Sequence, residues 1–160
     1  RETEADREIE TVRAALRTGN LRRGDVVVLG SVSGRNIRPV AAALTCAELG
    51  VRTIGMTSLA YTRSVQPLHP SGLRLCDAVD VVIDIGAPYG DAAVEMPGLN
   101  IPVMPVSGIG FDLAGWMIWE RVMARMVEAG RPPTVFMSVN REGGQAYYES
   151  ARKRFNELGY

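Results

Sequence analysis

The chain carries one histidine and two cysteines among 160 residues, and that scarcity removes several kinds of chemistry. Cys46 and Cys76 lie in apolar or helical stretches with no CxxC and no Cys/His spacing around them. They read as buried core residues, so neither a metal site nor a disulfide scaffold is expected. Charge of one sign is not in excess either. Eighteen basic residues balance eighteen acidic ones, and without a basic stripe nucleic acid is not expected as a partner. No apolar run reaches the roughly 18 residues of a membrane span, and no secretory leader is recognisable. The expectation is a cytoplasmic chain in a reducing compartment, neither secreted nor anchored to a membrane. The GxxxxGK[ST] and GxGxxG patterns are also missing, so nucleotide or flavin binding is supported by fold type alone, and no cofactor is expected.

What the chain does have is a composition 46% hydrophobic and 22% charged, enough to close a single domain over residues 1–160 around an ordinary core. Ile9, Val12 and Leu16 recur at helical spacing over residues 3–18, with Thr3 as N-cap and Asp6 three residues on. Residues 25–30 are short, unbroken and mostly β-branched, as in a parallel strand buried on both faces. A helix over 36–49 follows at once; it stops at Gly50, and Pro39 fits only its first turn. Further strands are expected at 52–57, 79–84, 101–106 and 134–138, with helices at about 111–129 and 145–158. Short buried strands alternating with helices predict βαβ crossovers. The fold class is therefore α/β, a doubly wound three-layer sandwich with a mainly parallel, flavodoxin-like sheet covered on both sides. The stretch 58–75 has no clear period and is long for a connection.

In such a sheet, ligands bind beyond the carboxyl ends of the strands. The most informative of those loops is Gly30-Ser31-Val32-Ser33-Gly34-Arg35-Asn36. Two hydroxyls two positions apart, a glycine for a tight turn and the free amides of a helix N-terminus suit a phosphate, with Arg35 to add a countercharge. A plain strand-to-helix turn with a serine N-cap fits the same spacing.

These residues resemble the hallmark of the sugar isomerase (SIS) domain, a strand ending in a Ser-x-Ser-Gly turn at the start of a helix. Gly55-Met56-Thr57-Ser58-Leu59, Ser64-Val65, His69-Pro70-Ser71-Gly72-Leu73-Arg74-Leu75, Asp80-Val81-Val82-Ile83-Asp84 and Gly90-Asp91-Ala92-Ala93-Val94 are similar to its uncharacterised phosphosugar-binding branch, whose members are phosphoheptose isomerase-like. The resemblance covers about residues 20 to 145. It implies that Ser31, Ser33 and the Gly34 amide hold a sugar phosphate with Asn36 nearby, and that Thr57 and Ser58 supply a second hydroxyl loop around it. It also implies a further strand and helix with a Gly/Ser-rich loop before this point. Only one helix precedes the Ser31 strand, so either that unit lies before Arg1 or the sheet is reduced. Where the family starts a later helix with a Ser/Thr pair, this chain has Ser107-Gly108-Ile109-Gly110.

Interconversion of aldose and ketose phosphates requires a base and often a group that opens the ring. His69, in a turn-rich loop expected to be exposed, is one candidate, set against a structural or solvated histidine. Glu95 and Glu120 are the carboxylate candidates; burial of Glu120 among Trp116, Trp119 and Val122 would raise its pKa, against the alternative of a surface carboxylate near Arg121 or Arg125. Asp91 suits either sugar hydroxyls or a helix cap. The stripe Trp116, Trp119, Met123 and Met126 reads as a core or a dimer face, with a homodimer or higher homo-oligomer expected. Two functions remain open: a phosphosugar isomerase, and a non-catalytic phosphosugar-sensing module.

Overall fold

The computed structural model describes residues 2–160. The chain forms two compact units, one ending at Ala114 and one running from Gly115 to Tyr160. The first holds α1 (Glu4–Thr18), β1 (Val26–Gly30), α2 (Ile37–Glu48), β2 (Arg52–Thr57), α3 (Leu59–Arg63), α4 (Leu75–Ala78), β3 (Val81–Asp84), β4 (Ala92–Val94) and β5 (Val103–Pro105). Helix α5 (Ser107–Glu128) begins in this unit and continues into the second, where α6 (Gly144–Leu158) follows.

Thr3 caps α1 as its spacing to Asp6 predicts. The Asp6 amide donates to Thr3 Oγ1 at 3.1 Å, and the Thr3 amide donates to the Asp6 carboxylate at 2.9 Å. Helix α1 packs on α2, with Arg13 and Arg17 paired to Glu48 and Arg38 to Glu8. These exposed pairs orient the helices and contribute little energy.

The three parallel strands lie in the order β1-β2-β3, the α/β arrangement expected of alternating strands and helices. Gly30 stands beside Met56 and Met56 beside Ile83, so all three strands end along one line. Helices α2 and α4 pack against the sheet, supplying Val40, Ala41, Ala43, Cys46 and Leu75 to the core. Gly55 permits that contact, because a Cβ there would stand 2.8 Å from Val79 Cγ2. At the opposite end of the strands, the Thr53 amide and hydroxyl both donate to Asp80, at 2.7 and 3.0 Å, and fix the β2–β3 register.

Four details differ from the sequence expectations. Strand β1 is not buried on both faces, since Val26 and Val28 are 56% and 45% exposed. Where 101–106 was expected to join the parallel sheet, the shorter β5 pairs antiparallel with β4 in a ladder of its own. Pro102 and Pro105 remove two backbone donors from that segment. Residues 134–138 form no strand; Phe136 packs its ring against Tyr148 and Phe155 of α6 instead, with centroids 5.6 and 6.1 Å apart. Finally, Trp116 and Trp119 are 74% and 63% exposed, so the α5 stripe is not core.

Candidate functional site

The turn after β1 is built from backbone bonds. Ser31 donates its amide to Met56 O at 3.0 Å, and the Gly34 amide closes the turn on Ser31 O at 3.2 Å. Gly34 is buried at φ +61, and a Cβ there would stand 2.9 Å from Thr62 Oγ1 and 3.0 Å from Thr57 Oγ1. Only glycine fits this close approach of backbone to two hydroxyls. Because its amide is committed to Ser31 O, Gly34 shapes the turn rather than offering a free donor, which corrects the expectation of an amide held for a ligand.

The hydroxyls of Thr57 and Ser58 point into the protein. Thr57 donates to Val32 O at 3.1 Å and lies 2.9 Å from the Thr62 hydroxyl, which donates to Ser33 O at 3.0 Å. Ser58 caps α3 by accepting from the Tyr61 amide and donates to Ala87 O at 2.5 Å. Both side chains are fully buried. In place of a second hydroxyl loop around a ligand, these two residues clamp the β1 turn and the loop after β3 onto the end of β2. Thr62 completes the clamp, and its place in a stretch without periodicity gave no signal of that.

What stays free at the turn is rich in hydrogen-bond donors. The Ser31 and Ser33 hydroxyls are half-buried and make no hydrogen bond among the described residues. Arg35 Nε is shielded from solvent without a partner. Asn36 is the N-cap of α2 but its side chain makes no capping bond, which leaves the Ile37 and Arg38 amides open at the positive end of the helix dipole. Every one of these groups can donate a hydrogen bond.

His69 departs from its expected exposure. It is 8% exposed, and burial holds its pKa below the usual 6.5. The Ser71 amide donates to Nδ1 at 3.1 Å and the Ser71 hydroxyl lies 2.8 Å from the same nitrogen, while Nε2 is buried without a partner. Its loop is tied to the β1 turn by the Leu68 amide, which donates to Arg35 O at 2.9 Å. Asp91 is a helix cap: its carboxylate accepts from the Val106 and Ser107 amides and from the Ser107 hydroxyl, the last at 2.6 Å, at the start of α5. Glu95 follows β4 on the wall of an open cleft of about 480 Å³ lined by residues 95–102. Glu120 lies in the second unit and is exposed, rather than buried among Trp116, Trp119 and Val122 as expected.

Residues 1–58, from α1 to the end of β2 and including the Ser31 turn, match the model of the SIS domain. That stretch of the chain is similar to the SIS domain. The chain is also similar along most of its length to UPF0309 proteins. Identity is 37% over 134 residues with one from Shouchella clausii, covering 84% of this chain and 54% of that protein. It is 36% over 138 residues with one from Listeria monocytogenes serotype 4b, covering 86% and 56%. With one from Caldanaerobacter subterraneus subsp. tengcongensis it is 32% over 159 residues, covering 96% and 65%. The chain thus spans a little over half the length of the first two relatives. Among the described residues no helix is long and apolar enough to cross a membrane.

Proposed function

We propose that this chain holds the phosphate of a phosphorylated sugar on Ser31 Oγ, Ser33 Oγ and the first amides of α2 beyond Asn36, with the Arg35 guanidinium as countercharge. The observation that carries this reading is the concentration of free hydrogen-bond donors at the turn. A cluster rich in unmatched donors at a helix N-terminus suits an acceptor, and an anion with several oxygens satisfies more of them than a water does. Thr57, Thr62 and Gly34 keep the donors in place without touching the ligand.

Binding is favoured over turnover by this chain alone. Moving a proton between adjacent carbons needs a base with a free lone pair. The lone pair of His69 at Nδ1 takes the Ser71 amide, which suits the ring to donating from Nε2 rather than to abstracting a proton. An isomerase reading would rest on Glu95. Turnover of aldose and ketose phosphates that Glu95→Gln abolishes would establish it over sensing. The exposed Trp116 and Trp119 stripe supports association with a second copy, and a cytoplasmic place belongs to the same reading.

Calorimetric titration with a set of aldose and ketose phosphates tests the site. Ser33→Ala removes one hydroxyl contact and is expected to weaken binding by about 1 to 3 kcal/mol while leaving folding nearly unchanged. Unchanged affinity rejects the role of Ser33.

A further inference from the structure

The line of strand ends continues past the β1 turn to β3, whose last residue is Asp84, in register with Thr57. Two strand spacings separate β1 from β3, about 10 Å. That is close to the reach of a hexose phosphate from phosphorus to its far hydroxyl.

Asp84 is drawn across the end of β2. Its Oδ1 accepts the Leu59 amide at 3.2 Å and the Gly86 amide at 3.0 Å, while Oδ2 has no partner among the described residues and the side chain is exposed. The two segments it bonds, at Leu59 and Gly86, go on to carry an aromatic pair. Tyr61 and Tyr89 meet edge to face with centroids 5.0 Å apart. Tyr61 sits in α3, whose cap Ser58 also binds Ala87 O, so one serine ties the Tyr89 loop to the Tyr61 helix. Tyr89 is held in place yet 64% exposed, which leaves a fixed ring surface open to solvent.

We propose that Asp84 and Tyr89 form the subsite for the end of the sugar remote from the phosphate, and that they select a distal end bearing hydrogen-bond donors. The inference rests on the phosphate reading above and adds the specificity of the same site. Donors gather at the Ser31 end and an open carboxylate oxygen stands at the β3 end, so the edge of the sheet is polarised as a phosphosugar is. Neighbouring sugar hydroxyls donate to Oδ2, and the C–H face of the carbon chain packs on Tyr89. A sugar acid phosphate, with a carboxylate at the distal end, is repelled.

Calorimetry with the full chain uses four probes: inorganic phosphate, glucose 6-phosphate, fructose 6-phosphate and 6-phosphogluconate. Asp84→Asn keeps the Oδ1 acceptor for both amides and replaces Oδ2 by a donor, so the loop stays in place. Tyr89→Ala removes a side chain that is mostly outside the fold. The inference predicts that the parent chain binds its better hexose phosphate about tenfold more tightly than 6-phosphogluconate. Asp84→Asn should remove most of that difference, and each variant should weaken the hexose phosphate at least about fivefold with phosphate affinity unchanged. Smaller losses in both variants, or equal losses of phosphate and sugar, overturn the subsite. If Ser33→Ala still weakens binding in that case, the phosphate reading survives alone. Failure of the parent chain to bind any of the four overturns both.

Discussion

Gly34 is where the scaffold and the candidate site depend on the same atoms, and Gly34→Ala separates the contributions. The first cost is conformational: an L residue at φ +61 loses about 1 to 2 kcal/mol. The second is steric. The new Cβ meets Thr62 Oγ1 at 2.9 Å and Thr57 Oγ1 at 3.0 Å, and neither hydroxyl can swing away without abandoning Ser33 O or Val32 O. Overpacking of this kind costs about 1 to 3 kcal/mol, so the total is about 2 to 5 kcal/mol. Gly72→Ala is the control, because Gly72 has φ +73 and open space around its missing Cβ and should show only the conformational part. Urea denaturation of both variants, read by far-UV circular dichroism at fixed pH, gives the steric term as their difference, expected at about 1 to 3 kcal/mol. Two variants within about 0.5 kcal/mol of each other would refute the clamp of Thr57 and Thr62 against the turn.

Two further outcomes are expected. Thr57→Val keeps the side-chain shape but removes the donor to Val32 O; since the Ser58 amide also donates to that carbonyl, the loss should fall near the lower end of the range for a buried hydrogen bond, about 1 kcal/mol, and a denaturation midpoint equal to that of the parent would contradict it. His69 has a depressed pKa, so as the pH falls the unfolded chain takes up its proton first and stability, full above pH 6.5, declines; His69→Gln should flatten that segment of the stability curve, and an unchanged slope would refute the burial of the ring.

Much of this was legible before the structure, and the exceptions share a cause. Periodicity and end signals located α1, α2, β1 and β2 to within a residue or so, because caps, Gly50 and β-branched runs are local statements about the backbone. Residues 134–138 have the strand-like composition Thr-Val-Phe-Met-Ser, yet ladder formation depends on a partner elsewhere in the chain, and Phe136 found aromatic contacts on α6 instead. The same distinction applies at the candidate site. Ser31, Ser33 and Asn36 share one local turn, whereas the inward rotation of Thr57 and Ser58 depends on Thr62 and Ala87, which no local pattern brings near. Asp91 presented two readings, and the amides of Val106 and Ser107 decided for the cap. Asp84 did have a signal, as the last residue of an expected strand on the ligand edge of the sheet.

The most direct measurement of the anion site is the amide spectrum of the isotopically labelled chain during addition of inorganic phosphate and then glucose 6-phosphate. Saturable shifts should concentrate at Ser31, Ser33, Arg35, Asn36, Ile37 and Arg38, while Glu95 and Glu120 stay still. Shifts centred on residues 95–102, or none at the β1 turn, would contradict it.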